Sequence, residues 1–518
     1  MTENIGRLGR RNRRPHAAET AAHAVPMRSD RYRQLTNPFE PLRIFSDDQI
    51  EALHDSALTV LENSGLRILH SGARHRLALA GAEVDEATEM VRFDRGMVEQ
   101  AVTRAPKIVK LHARTPARTV EVGGNHLVFT PVVGPPNVTD LARGKRPGSL
   151  DGFSDFVRLA QSFDVIHLLG PSVEPQDIPV NVRHLEMTLA QLTLSDKTPW
   201  VWCRGHVAVQ DSFEMIRIVH GLDEAAFRER VCTYTVVNTN SPRQLDLLMA
   251  EGIMDFAEAG QLVIVTPFTL AGAMAPVTLP GALTLAHAEA LAGITLAQVT
   301  RPGSPVAYGS FTSNVDMKSG SPAFGTPEYF KAALGAGQLA RRIGIPWRSS
   351  SATASNAPDE QAAYESEMSL WGAVLGGCNV LLHAAGWLEG GLSASYEKFI
   401  LDIEMLQMMA ECLQPVDAST DEIGVDAIAD VDPGGHFFAS EHTMQRYRTA
   451  FYAPLVSDWR NFGAWQEAGA QTAGQRATQI WQATLHGFVA PELDPSKQEE
   501  LTEFVIRRRE EGGAAPPG

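Results

Sequence analysis

The chain has 518 residues, 44% hydrophobic and 20% charged, with 45 basic against 61 acidic residues and a net charge of −16. This composition excludes a collagen-like, disulfide-scaffolded or wholly disordered protein, and the length calls for at least two structural units at roughly 100–200 residues each. A surface this acidic repels phosphate backbones, so nucleic acid is not an expected partner.

The four cysteines fit free thiols in a reducing compartment. No signal-peptide core opens the chain. The most apolar stretch, Gln261 to Leu279, is interrupted by Pro267, Gly272 and Pro276, so no membrane span is read and a cytoplasmic protein is expected.

Residues 1–40 read as a basic, arm-like or disordered tail holding Arg7, Arg10, Arg11, Arg13, Arg14, Arg28, Arg31 and Arg33 with no apolar period. Residues 41–120 read as an α-rich cap. Ser46 precedes Ile50, Leu53, Leu58 and Leu61 at helical spacing, Gly65 supplies a stop, and a second helix is expected near Asp94–Arg104.

Between 121 and 413 a rhythm sets in. Short β-branched runs start at Leu127, Val165, Trp200, Val231, Leu262, Val306, Ile345 and Asn379, each followed by a longer stretch of helical spacing. Ser241-Pro242-Arg243-Gln244, Thr326-Pro327-Glu328 and Pro358-Asp359-Glu360 carry helix-start chemistry. Eight such alternations make an α/β chain with a (β/α)₈ TIM-type barrel. A doubly wound open sheet is the second choice, without a GxGxxG or GxxxxGK[ST] loop to favour it. Residues 414–518 form an α-rich extension containing Trp459, Trp465 and Trp481.

A barrel carries its active site at the C-terminal strand ends. Those ends hold Cys203 and His206, Asn238, Thr266, then Phe311, Asn314 and Asp316, then Ser350, and finally His383, Trp387 and Glu389. Cys203 and His206, with Cys232 or His383 as a third ligand, are a possible zinc set, although a buried structural thiol is the simpler reading of Cys203. No G-x-S-x-G elbow is present. Aromatic faces with carboxylates nearby, here Tyr308, Phe311 and Trp387 with Asp316 and Glu389, are the chemistry that holds a quaternary ammonium group. Barrel filling by the same aromatics is the competing reading.

The segments Gly309-Ser-Phe-Thr-Ser-Asn-Val-Asp316-Met-Lys-Ser-Gly320 and Pro322-Ala-Phe-Gly-Thr-Pro-Glu328 closely resemble the trimethylamine methyltransferase family. The resemblance continues through Ala362-Ala-Tyr-Glu-Ser366, Leu370-Trp-Gly-Ala-Val374, His383-Ala-Ala-Gly-Trp-Leu-Glu-Gly-Gly391, Leu493-Asp-Pro495 and Phe504-Val-Ile-Arg-Arg-Arg, and covers nearly everything from 40 to 511. It implies a (β/α)₈ barrel that moves a methyl group from a methylated amine to the Co(I) corrinoid of a separate partner protein. The archaeal trimethylamine enzymes use pyrrolysine. This chain has only standard residues, and so resembles the branch acting on quaternary amines such as glycine betaine.

On that reading Tyr308, Phe311, Asp316, His383, Trp387 and Glu389 are expected to bind substrate, and His206, Asn238, Asn314 and Ser350 to face the corrinoid. No residue is assigned a catalytic role and no metal of the chain's own is expected. The corrinoid is expected on the partner, since the Asp-x-His-x-x-Gly signature of cobalamin-carrying domains does not occur. A homo-oligomer is expected from the arm and the extensions. A non-catalytic amine-binding or scaffold subunit, and a zinc-dependent barrel enzyme, are the alternatives.

Overall fold

The structure is a computed structural model describing residues 29–515. Most of the basic arm, residues 1–28, lies outside the described residues.

Residues 41–120 contain more strand than their sequence pattern suggests. Ser46 caps helix Asp47–Thr59 in a reciprocal capping box with Gln49, the helix runs on through Val60–Ser64, and Gly65 ends it at φ 65°. Asp94 caps the expected second helix, Arg95–Arg104. Between them the short strands Leu66–Ile68, Glu83–Asp85 and Met90–Arg92 form a small sheet, and Ile108–Leu111 pairs antiparallel with Val120–Gly123.

The barrel follows. Its first strand is His126–Phe129, and the fourth to eighth are Tyr234–Thr239, Leu262–Ala271, Val306–Gly309, Trp347–Ser350 and Val380–Leu382. Neighbours pair in parallel in that order, and Val380–Leu381 returns to Val128–Phe129. The second and third positions are extended segments tied in by the His167 N–H to the Phe129 carbonyl (2.9 Å) and by the bridges Leu168↔Thr198 and Trp200↔Tyr234. The ring is therefore closed, and the open sheet is set aside.

Alternation along the strands separates two cores. Val128, Leu168, Tyr234, Ile264, Ala307, Val380 and Leu382 fill the barrel interior, and the hairpin residues Val109, Leu111, Val120 and Val122 belong to the same cluster. The larger core lies between the strands and the surrounding helices. The fifth barrel helix, Leu279–Thr300, is long and apolar enough to cross a membrane by length and composition, which the sequence pattern had not suggested. It is buried because it packs on the fifth strand on one side and on cap helices Asp47–Thr59 and Arg95–Arg104 on the other. A helix enclosed on all sides reads as apolar all round.

Two of the three expected helix starts stand: Thr326 caps Pro327–Ile343 and Asp359 caps Glu360–Leu375. The third does not. Arg243 takes φ 56°, Gln244–Leu245 adds a strand beside Arg67–Ile68, and the helix begins at Leu247 with Asp246 as its cap.

After the eighth barrel helix, Tyr396–Cys412, the chain makes an excursion and returns as helix Ala473–His486, packed on Tyr396–Cys412 and Leu150–Ser162. The last helix, Pro495–Glu510, lies against the second and third barrel helices, Val180–Leu194 and His206–His220. It delivers Ala514 and Ala515 to the rim of the barrel mouth.

Candidate active site

A cavity of about 790 Å³ opens at the C-terminal ends of the strands. Its wall includes Trp200, Trp202, Asn238, Phe268, Phe311, Arg348, His383 and Trp387. The aromatic part is a continuous cluster. Phe311 lies 5.1 Å from Phe268, 6.1 Å from Trp387 and 5.6 Å from His383, centroid to centroid, and His383 lies 4.0 Å from Trp387.

The strands position these groups by simple parity. In Trp347–Ser350, Arg348 pairs with Val380 and Gly309 and shares their inward side, while the Trp347 ring packs outward toward Gly337 and Gly376 of the helix layer. Gly309 leaves room at that level, since a Cβ there would meet the Thr266 Oγ1 at 1.9 Å. His383 follows the eighth strand at φ 58°, its Nδ1 3.1 Å from the Ser350 Oγ. Burial, with Arg348 nearby, pushes the His383 pKa well below its usual value, so the ring is neutral at pH 7.

The loop behind His383 and Trp387 is fixed by buried carboxylates. Asp402 accepts the Gly386 N–H (2.8 Å) and pairs with Lys398, which also donates to Ser366. Glu365 accepts from the Thr353 Oγ1 (2.5 Å) and from the N–H groups of Ala354 (2.8 Å) and Ser355 (3.2 Å). The Thr353 carbonyl in turn accepts the Trp387 indole N–H at 3.0 Å.

Arg348 is the unusual group. It is 2% exposed, its guanidinium lies 5.4 Å from the Phe311 centroid, and no carboxylate pairs with it among the described residues. Burial lowers its pKa to about 10, which leaves it protonated at neutral pH. Its Nε–H, and the indole N–H groups of Trp200 and Trp202, are buried without a hydrogen-bond acceptor. All three are donors that cannot accept. Among the described residues no Asp or Glu lines the cavity, whereas Arg183, His184 and Arg204 do. Glu174 neutralises Arg183 and, at 2.7 Å, Arg204, which stacks 4.1 Å from the Trp202 centroid.

The expected site residues divide accordingly. Phe311, His383, Trp387 and Asn238 line the cavity, and Ser350 stands behind His383. Tyr308 points outward to His287 (3.2 Å), one residue out of phase with the inward side. Asp316 lies outside the cavity: its carboxylate accepts from Ser319 and Lys318 in its own exposed turn, and the Ser319 hydroxyl holds its pKa below the usual value. Glu389 is also outside, paired with Lys145 at 2.6 Å. These two acids therefore do not meet across the cavity as the strand-end argument expects. Asn314 bonds to Thr326, and His206, at the start of the third barrel helix, sits 2.6 Å from Asp255 of the fourth, Leu247–Glu258; neither lines the cavity. The Cys203 thiol is buried and pushed up to about 12, and no group of three His, Cys, Asp or Glu forms a metal site among the described residues. The sequence pattern marks Trp347-Arg-Ser-Ser350 as a strand but not the side on which the Arg348 charge falls, so it does not single out Arg348.

The family model for trimethylamine methyltransferase (MTTB) matches residues 7–513. A glycine betaine methyltransferase of Desulfitobacterium hafniense (strain Y51) is 36% identical over 472 residues, 91% of this chain and 98% of that protein. A trimethylamine methyltransferase MttB of D. hafniense (strain DSM 10664 / DCB-2) is 29% identical, covering 91% of this chain and 95% of that protein. Among solved structures, the Methanosarcina barkeri monomethylamine methyltransferase (MtmB) covers 89% of both chains at 13% identity and a TM-score of 0.49. With a family model matched across almost its whole length, this chain belongs to the trimethylamine methyltransferase family and is a methyltransferase.

Proposed function

We propose that the enzyme removes a methyl group from a zwitterionic quaternary amine of the betaine class and passes it to a corrinoid carried by a separate protein. The observation that carries this reading is the set of buried N–H groups without an acceptor, the Arg348 Nε–H first, on an aromatic cavity with no acid in its wall among the described residues. A plain cation gains cation–π attraction there but meets the uncompensated charge of Arg348. A betaine brings its own carboxylate, which neutralises Arg348 and accepts from the free N–H groups, while its trimethylammonium group rests on ring faces. The 36% identity to a glycine betaine methyltransferase supports the same class.

Displacing a methyl from a quaternary nitrogen leaves the bond's electron pair on nitrogen and releases a neutral tertiary amine. No general acid is required, and a neutral His383 fits such a site. The reduced corrinoid of the partner supplies the nucleophile. The chain's own task is to anchor the carboxylate, hold the methyl groups toward the mouth and keep water from the reacting face. The cavity is much larger than a betaine, which leaves its outer part for the acceptor. Residues 121–413 are read as the catalytic unit, with 41–120 and 414–518 as support, and the four free cysteines suit a cytoplasmic location. A thermal-shift comparison tests the substrate class, because a ligand bound only by the native state raises Tm. Glycine betaine should raise it, and choline, which lacks the carboxylate, should not. Equal shifts would overturn the assignment.

A further inference from the structure

Helix Leu279–Thr300 carries a single carboxylate, Glu289, and that group is fully buried. A buried carboxylate is costly unless hydrogen-bond donors surround it. Its three donors all come from one turn, the one that follows the fourth strand. The Thr239 and Ser241 hydroxyls donate to one oxygen (2.5 and 2.6 Å), and the Arg243 N–H donates to the other (2.7 Å). Arg243 stands at φ 56°, a conformation that a non-glycine residue keeps only where its surroundings hold it. On its far side the turn is tied to the cap, where the Arg67 N–H donates to the Arg243 carbonyl (3.0 Å). Thr239, Asn240 and Ser241 line the cavity beside Leu248, Met249 and Met274. The Asn240 side chain is bonded to Asp246 (3.0 and 3.3 Å), so the polar side chains of these three lining residues are all engaged.

We propose that Glu289 is a positioning residue for methyl transfer: it presets the 239–243 turn as the cavity wall against which the methyl acceptor is placed. This rests on the corrinoid reading above. In a closed ring of eight, the fourth and eighth strands stand opposite each other, so the turn faces the His383–Trp387 loop across the mouth. That loop is held from behind by Asp402 and Glu365. The groups that suit a betaine, Phe311, Arg348 and Trp387, belong to the sixth to eighth strands and the segments that follow them. Substrate therefore takes one side of the cavity, and the turn borders the space left over. An acceptor ring with a broad apolar face fits a wall whose polar side chains already have partners. A satisfied buried network holds its members rigidly, and a wall set in advance has no ordering left to do when the acceptor arrives.

The test compares Glu289→Ala with Glu289→Gln. Alanine leaves the two hydroxyls and the Arg243 N–H without their acceptor. Glutamine restores the set, because its amide oxygen accepts the N–H and its amide nitrogen donates to the hydroxyl oxygens, which accept as well as donate. In Glu289→Ala, amide hydrogen exchange across 239–246, followed by mass spectrometry without ligand, should be about tenfold faster than in wild type, as donors left unsatisfied loosen the turn. The KM for reduced cobalamin should rise about tenfold, while the glycine betaine Kd from calorimetry stays within about twofold, since the two sides of the cavity share no contact. Glu289→Gln should resemble wild type in all three. Should Glu289→Ala fold poorly, Ser241→Ala, which removes one of the three bonds, is read in the same way with a smaller shift. An unchanged acceptor KM, an equal loss of betaine affinity, or a glutamine variant as impaired as alanine overturns the proposal. A wild type that transfers no methyl from glycine betaine fails the substrate assignment instead, and the acceptor KM is then taken with whichever methylated amine the protein uses.

Discussion

Replacing Arg348 by Met removes the guanidinium and keeps a flexible apolar side chain in the barrel interior. Two effects of opposite sign follow. At 4 Å and an effective dielectric of about 20, a carboxylate–guanidinium contact is worth about 4 kcal/mol, and truncating one member of a buried charged pair costs about 2–5 kcal/mol. For a small ligand that regains water on release, about 2–4 kcal/mol is the appropriate range. The betaine Kd should therefore rise about 30- to 700-fold. The free protein should respond the other way. Arg348 is buried with no acid partner and its pKa is pulled down by burial, so its charge costs stability, and Met relieves that cost. Arg348→Met should melt no lower than wild type. Arg348→Lys should fall between the two in affinity, since an ammonium is a point charge without the planar fork. Titration calorimetry with glycine betaine, paired with thermal melts of the same samples, reads both quantities. A Met variant that melts lower and binds betaine as tightly as wild type would show that Arg348 is a packing residue, and the reasoning would be refuted.

Phe311→Leu or Trp387→Leu should each weaken betaine binding roughly tenfold or more, as a desolvated cation–π contact is worth about 2 kcal/mol. Asp316→Asn should leave affinity unchanged, because that carboxylate is spent on its own turn; a clear loss in calorimetry would place it in the site after all. Glu365→Gln should lower stability by about 2–3 kcal/mol and weaken binding, since it loses charged acceptance of three donors behind Trp387. Urea unfolding with unchanged midpoint would contradict it. Stability should also fall with acid. Burial pushes the pKa of His167 down to about 3 and that of His220 to about 4, and sets that of His287 well below its usual value. The unfolded chain takes up these protons near 6.5 while the folded chain does not, so the stability is full above about pH 6.5 and drains from there toward 4. A Tm that stays flat between pH 7 and 5 would count against this.

The barrel was legible because each strand and helix announces itself locally: a short β-branched run, a polar break, a capped helix. Thr326-Pro327 and Asp359 do this directly. The turn at Ser241–Gln244 is not legible locally, because its helix-start residues compete with a strand partner, Arg67–Ile68, that lies far away in sequence. The strand-end rule brought Phe311, His383 and Trp387 to one cavity. It misplaced Tyr308 by one residue of parity, and it placed Asp316 and Glu389 at the mouth without knowing that local hydroxyl and lysine partners would engage them. Arg348 needed three-dimensional information of another kind. Its importance lies in what is absent around it, and only the closed ring shows that no acid among the described residues reaches it.

The most direct test of the substrate assignment is methyl transfer to reduced cobalamin, followed by absorbance, with glycine betaine, choline and trimethylamine as donors at equal concentration. Only glycine betaine satisfies both the aromatic wall and Arg348. It should therefore methylate the acceptor with a kcat/KM at least about 30-fold above choline, the lower bound set by the carboxylate contact. Equal or faster transfer from choline or trimethylamine would contradict the account.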